Sequence, residues 1–264
     1  MIWIAAYLAS GAVVGFLAGL LGIGGGMTLV PILSALFAAQ ALAPGYSVHL
    51  ALGTAMASAV FTSLASVREY HRLGSVDWQV VRTMVPGLLI GALAATVATG
   101  WVSQRALALF FALVACLGAT QMLRRAQPVK ARARLGPVAL TAWTTGIGAI
   151  CGLMSAGGAF LTVPFMVYCG VPVRTAIATS AALAWPMAVV GTIGYVTSGW
   201  SIEALPSAAV GFVWLPALAA LVVTSMLFAP IGARLMHRLP VSTLKRVFAL
   251  LLYGVAAKMA LAYW

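Results

Sequence analysis

The sequence predicts an all-α polytopic membrane protein. It is read as two inverted repeats of about five transmembrane segments each, with a Gly-rich helical hairpin opening each repeat. Composition is the first observation behind this: 63% of the 264 residues are hydrophobic and 7% are charged, whereas a soluble domain carries about 25% charged residues to wet its surface. The mean hydropathy is +1.09. Length is the second. The apolar stretches recur at roughly 20 residues, enough to cross the hydrocarbon as helices, and they lack the alternation of a membrane barrel. The third observation is an internal duplication.

Residues 15–31 (GFLAGLLGIGGGMTLVP) realign with 148–164 (GAICGLMSAGGAFLTVP) at a shift of 133. This pairs Gly15, Gly19, Leu20, Gly24, Gly25, Val30 and Pro31 with Gly148, Gly152, Leu153, Gly157, Gly158, Val163 and Pro164. Further along, ALGTAM (51–56) meets AIATSA (176–181) at a shift of 125, which pairs Thr54 with Thr179, Tyr70 with Tyr195 and Gly74 with Gly199. Ordered recurrence of this kind points to duplication. The chain is therefore read as one membrane domain, 1–264: a first repeat at 1–123, a basic cytoplasmic linker at 124–137 and a second repeat at 138–264.

Hydropathy divides each repeat alike. Segments are expected at about 2–21, 27–41, 48–67, 79–99 and 105–123, then at about 138–154, 159–169, 174–197, 205–232 and 244–263. The N-terminal stretch has no basic residue before its apolar run and no clear cleavage site, so it is read as a retained span. The linker carries Arg124, Arg125, Lys130, Arg132 and Arg134 with no acid among them, which places it in the cytoplasm. Counting outward from it, loop 68–78 with Arg68 and Arg72 is inside, as is loop 233–246 with Arg234, Arg238, Lys245 and Arg246. Matching loops of the two repeats then fall on opposite faces. That requires an odd number of crossings per repeat, so the first two segments of each must form a hairpin, and both termini lie outside. Inverted repeats are the architecture of many secondary transporters.

The hairpin tips, Gly22-Ile23-Gly24-Gly25-Gly26 and Ser155-Ala156-Gly157-Gly158-Ala159, are where the helices should open, since each glycine disfavours helix by about 1 kcal/mol relative to alanine. An opened helix bares N–H donors at the start of the next segment, and these with the helix dipole make an anion site. The expected substrate-binding residues at the tips are Gly24, Gly25, Gly26 and Met27 in the first repeat and Gly157 and Gly158 in the second. Thr54 and Ser58, four apart on one helix face with Thr62 a turn further, would add hydroxyls, as would Thr179 and Ser180. His49 and Arg174 correspond at the shift of 125 and are read as gate or anchoring residues near a membrane surface. Scattered glycines such as Gly87, Gly91, Gly118 and Gly254 are read as helix packing. Pro31, Pro164, Pro186, Pro216 and Pro230 are read as kinks or breaks, and Trp101, Trp200 and Trp264 as interfacial anchors.

The remaining composition excludes several classes. The formal charge of +12 sits in short loops, an orientation signal rather than a nucleic-acid groove. The three carboxylates, Glu69, Asp77 and Glu203, fall in or beside loops, leaving no acid in the membrane interior to hold a cation. Cys116, Cys151 and Cys169 have no metal spacing and read as small packing residues. No nucleophile elbow, phosphate loop or His/Cys/carboxylate grouping is present, so neither an enzyme nor a cofactor or metal is expected.

At the glycine clusters the sequence resembles the sulfite exporter TauE/SafE family, also called toluene sulfonate uptake permeases. The matching stretches are GLLGIGGGMTLVP (19–31), its weaker second copy GLMSAGGAFLTVP (152–164), ALGT (51–54), AIATS (176–180) and GSVDW (74–78). The resemblance implies transport of sulfite, sulfoacetate or related organosulfur anions across the bacterial inner (cytoplasmic) membrane, and a possible coupling proton. It points to Gly24, Gly25, Gly26 and Thr54 in the first half, and to Gly157, Gly158, Thr179 and Ser180 in the second. Ala156 and Ala159 depart from the pattern and put equal participation of the halves in question. A secondary carrier with export favoured over import is the leading reading; an anion channel and a membrane subunit of a larger complex are the alternatives.

Overall fold

A computed structural model gives the fold and describes residues 2–22, 24–123, 136–155 and 158–240, together with 242–243, 246, 249–250, 253–254, 256–257 and 261. Residues 124–135 of the basic linker, Gly157, Trp264 and much of the tenth expected segment lie outside the described residues. Among those described, the first half contains α1 (Ile2–Leu21), α2 (Gly26–Ala39), α3 (Ser47–Arg72), α4 (Trp78–Val97), a 3-10 turn (Ala98–Trp101) and α5 (Gln104–Leu123). The second contains α6 (Pro137–Leu153), α7 (Ala159–Tyr168), α8 (Val173–Gly199), the strands β1 (Ala209–Val210) and β2 (Val213–Trp214), and α9 (Leu215–Met236). The chain is an all-α polytopic membrane protein: α1, α3, α4 with its 3-10 turn, α8 and α9 are each long and apolar enough to cross a bilayer.

Local chemistry sets the helix boundaries. Asp77 caps α4, its carboxylate accepting from the N–H groups of Gln79 (3.0 Å) and Val80 (3.1 Å), as N-cap acids do. Pro137 opens α6, where a missing N–H is harmless. By contrast, α2 has 14 residues and α7 has 10. At 1.5 Å per residue they reach about 21 and 15 Å, short of a hydrocarbon core of about 30 Å.

The apolar run at 205–232 is divided in the structure. Ala209 pairs with Trp214 and Val210 with Val213 in an antiparallel hairpin, and α9 begins only at Leu215. Pro216 therefore sits in the first turn of a helix instead of kinking one, while Pro31, Pro164, Pro186 and Pro230 do lie inside helices.

The long helices pair reciprocally. α1 packs chiefly on α9 and α4 on α6, while α3 and α8 cross at the centre, α3 also touching α9 and α8 also touching α4. Small residues make the outer seams. A Cβ on Gly15 or Gly19 would overlap the backbone of Ser225 or Ala229, and one on Gly91 or Gly148 the backbone of Thr145 or Leu88. Close approach of this kind is how helices associate where lipid supplies no hydrophobic drive. Packing is thus the role of Gly87 and Gly91, whereas a Cβ at Gly254 would meet nothing within 4 Å.

Candidate functional site

The two hairpin tips are built alike. Gly22, Gly24 and Gly25 all have left-handed φ, at 69°, 68° and 84°, and Gly25 is the N-cap of α2. Gly158 holds the same place before α7 with φ 87°. Only glycine takes this conformation without strain. Neither helix is capped by a side chain. Their first i→i−4 bonds run from the Leu29 N–H to Gly25 O (3.2 Å) and from the Thr162 N–H to Gly158 O (2.7 Å). The N–H groups of Gly26, Met27 and Thr28, and of Ala159 and Phe160, come before those ladders begin.

The tips meet each other. A Cβ on Gly26 would collide with the carbonyl of Ser155. A Cβ on Gly25 would lie 3.1 Å from Val14 Cγ1 and 3.7 Å from Thr62 Cγ2, and one on Gly158 3.6 Å from Met187 Sδ. Thr62 and Met187 stand near the middle of α3 and α8. Each tip also leans on the long helix of the other half. The Ser180 hydroxyl lies 2.7 Å from Ile177 O and 3.2 Å from Gly22 O, and the Ser155 hydroxyl donates to Leu52 O. Ser155 occupies the position matched to Gly22 and has φ 48°, a left-handed serine whose side chain is tied down by that bond. Gly24, Gly25, Gly26, Met27 and Gly158 are all buried. The tips are thus closed in on one another in this conformation.

The hydroxyls fall into two groups. Thr54 Oγ1 donates to Leu50 O (2.7 Å) and accepts the N–H of Trp214 (2.9 Å) at the start of α9. Thr179 Oγ1 accepts the N–H of Asp77 (3.0 Å) at the start of α4. These matched threonines each hold a helix start belonging to the opposite half. Thr62 Oγ1 lies 3.0 Å from Ser58 O and 2.9 Å from Ser225 Oγ on α9. Ser58 is buried, one turn before Thr62 on the same face of α3. The polar stripe has no equivalent on α8, where Leu183 and Met187 stand at the positions matched to Ser58 and Thr62.

His49 and Arg174 lie away from the tips, each near the start of its helix. His49 is buried, its Nε2 3.2 Å from Thr99 O and 2.9 Å from Val102 O. Two carbonyl acceptors require that nitrogen to carry the hydrogen. The ring also packs on Phe212 and Tyr46, with centroids 5.0 and 5.5 Å away. Arg174 is exposed and donates to Leu239 O at 3.4 Å.

Sequence reasoning missed three features. Ser225 gave no signal beyond being a small residue in an apolar helix. The tyrosines were visible as a matched pair, but not their role: Tyr70 donates to Gly19 O, while Tyr195 OH lies 3.1 Å from both Gly152 O and Leu153 O. These carbonyls belong to the last turns of α1 and α6, where intrahelical donors run out; Gly152 O also accepts the Ser155 N–H (3.1 Å). Glu69, taken for a loop residue, is in the last turn of α3, buried, and paired with Arg234. An open groove of about 430 Å³ beside α6 and α7, lined by Ala142, Trp143, Gly146, Ile147, Ile150 and Leu161, is apolar and offers an anion no charge.

Residues 7–259, nearly the whole length, match the protein family described as Sulfite exporter TauE/SafE. The chain belongs to the sulfite exporter TauE/SafE family. Among curated members of known sequence, a probable membrane transporter protein of Haemophilus influenzae is 32% identical over 252 residues, covering 95% of this chain and 96% of that one. A probable membrane transporter protein of Bacillus subtilis, YdhB, is 26% identical, with 88% and 89% covered. One from Methanocaldococcus jannaschii is 26% identical over 192 residues, with 71% and 70% covered. No solved structure matches. This TauE/SafE chain is a multi-pass membrane transporter.

Proposed function

We propose that this TauE/SafE protein is a secondary carrier of small sulfur-containing anions such as sulfite, sulfoacetate or other organosulfonates across the cytoplasmic membrane, with export favoured over import. The observation that carries the proposal is the meeting of two uncapped helix starts, each behind a left-handed glycine, where Gly26 abuts Ser155. An anion with several oxygens needs several donors, and paired helix starts supply them with their dipoles aimed inward. Gly24, Gly25, Gly26 and Met27, with the Ser58 hydroxyl, form the first half of the site. Gly157 and Gly158 form the second. Ser180 braces the first tip from the opposite repeat, and Thr54 and Thr179 hold the starts of α9 and α4. The unequal hydroxyl stripe gives the first half the larger share of polar contacts.

Burial of the tips supports a carrier over an open pore, because cargo reaches them only after the helices part. The reciprocal pairing of α1 with α9 and α4 with α6 supports inverted repeats, which alternate access by rocking one body against another. Uptake of labelled sulfite or sulfoacetate into proteoliposomes, with and without a pH gradient, tests the reading. Saturable flux that disappears in a folded Gly25→Leu/Gly158→Leu variant is the expected result. Flux that persists in that variant removes the tips from the site, and flux that never saturates favours a channel.

A further inference from the structure

Where α3 and α9 end, on the face that carries Arg68, Arg72, Arg234 and Arg238, a polar cluster remains that the tips do not use. Arg234 donates to Glu69 through Nε (2.7 Å to Oε1) and Nη2 (3.4 Å to Oε2), and Arg72 Nη1 lies 3.8 Å from Oε2. Exposure is lopsided: the Glu69 side chain is 10% exposed, but Arg234 is 60% and Arg72 75% exposed. Beside them His237 Nε2 lies 3.2 Å from Ser75 Oγ, and its ring meets Tyr70 edge-on at 6.3 Å. α1 and α2, which also pack on α3, contain no charged residue. The cations paired with Glu69 are Arg234 and Arg72.

The matched joint at the other face is different in kind. Position 194 on α8 corresponds to position 69 and is glycine. A Cβ there would overlap Thr96 on α4. One end of the molecule is thus closed by bare close packing, and the other by an ion pair whose cation is open to solvent and whose anion is not.

A guanidinium has five N–H donors in a planar fork that fits any oxyanion with two oxygens side by side. A sulfonate or sulfite presents the same bite as the Glu69 carboxylate. An anion arriving from solution reaches the exposed side of Arg234 and Arg72 and competes with Glu69 as their partner. Once displaced, Glu69 is a partly covered carboxylate without its counter-ions, an unfavourable state. Fuller hydration, gained when α3 and α9 separate, relieves it. Anion binding and opening of this seam are then linked, because the anion binds the open form better.

We propose that Arg234 and Arg72 form a docking site for a sulfur oxyanion at the inner mouth, kept closed by Glu69 as a built-in substitute anion, and that exchange of Glu69 for the cargo parts α3 from α9. The identity of the cargo rests on the transport reading; the exchange itself is tested without measuring transport. Ser225→Cys, placed in a Cys116→Ser/Cys151→Ala/Cys169→Ser background, puts a reporter thiol in the seam opposite Thr62. Its maleimide labelling is followed in lipid nanodiscs, with sulfate as an inert oxyanion probe against chloride at equal ionic strength. Glu69→Gln should raise the labelling rate about two- to five-fold, the scale on which a partly exposed ion pair biases an equilibrium. Sulfate should raise the rate of the parent protein, and Arg234→Gln should label fast with no response to sulfate. The charge exchange Glu69→Arg/Arg234→Glu should restore slow labelling, which keeps the test decisive if Glu69→Gln folds poorly. Parent-like labelling in Glu69→Gln, fast labelling in the exchanged protein, or an equal sulfate response in Arg234→Gln each overturns the proposal. Absent flux in proteoliposomes would instead sink the transport reading and leave these rates unaffected.

Discussion

Gly25 and Gly45 share a backbone conformation, with φ of 84° and 86°, and differ in what surrounds them. A Cβ at Gly45 meets nothing within 4 Å, whereas at Gly25 it comes 3.1 Å from Val14 Cγ1. Gly45→Ala should lose about 1 kcal/mol through left-handed strain alone and keep its flux. Gly25→Ala carries the same strain and also pushes on the tip, so its flux should fall at least about tenfold, as even ångström-scale misplacement of binding groups can cause. Thermal stability in detergent and flux in proteoliposomes separate the two effects. Equal flux in both variants would remove the special status of the tip. The tyrosines allow a second comparison at this scale. Tyr70→Phe and Tyr195→Phe each remove a buried hydrogen bond to the end of α1 or α6, which should destabilise by about 0.5–1.5 kcal/mol. Thermal melting of each variant checks this. Tyr70 and Tyr195 were legible as a matched pair because both copies kept them. Their partners were not, because the carbonyls of Gly19 and Gly152 come within reach only when α1 and α6 pack beside α3 and α8.

Among the elements, the small-residue seams carry the sharpest expectation. Gly91 faces the Thr145 carbonyl, while Gly146, the next residue of α6, faces open space. Gly91→Leu should disrupt the α4–α6 seam, costing about 1–3 kcal/mol or more through overpacking, and should lower the yield of monodisperse protein. Gly146→Leu should be tolerated. Size-exclusion profiles and melting curves decide between them, and similar behaviour would mean that the seam is looser than its geometry. Segment boundaries were largely legible, since apolar length and the glycine clusters are local signals. The start of α9 was not. Hydropathy does not distinguish the hairpin at 209–214 from the helix that follows, because both are apolar. The turn depends on Gly211, with φ 54°, and on Phe212 bonding back to Tyr195 O at 3.2 Å, a contact formed only against α8.

For the whole molecule, the proposed inverted repeats make a topological prediction. Leu73, just after α3, and Ser201, just after α8, are both exposed and occupy nearly matched places in the two repeats. With all native cysteines replaced, a membrane-impermeant maleimide should label Leu73→Cys only from the cytoplasmic side and Ser201→Cys only from the outside. Labelling of both from one side would mean that the halves run parallel. The structure adds how such halves hold together. Thr54 secures the start of α9, Thr179 the start of α4, and each tip rests on the long helix of the other repeat. Motion of one body against the other must break or carry these ties.

The sequence by itself determined the membrane class, the helical segments, the glycine-opened hairpins and the family, because apolar length and glycine conformation act over a few residues and survive in a linear pattern. Only the tertiary structure decided that the tips meet at Gly26 and Ser155, that Thr54 and Thr179 hold helix starts of the opposite half, and that Glu69 is buried against Arg234. Those facts depend on which helix lies beside which, and in a chain so uniformly apolar, close packing of small residues sets that arrangement, leaving little trace in composition or spacing.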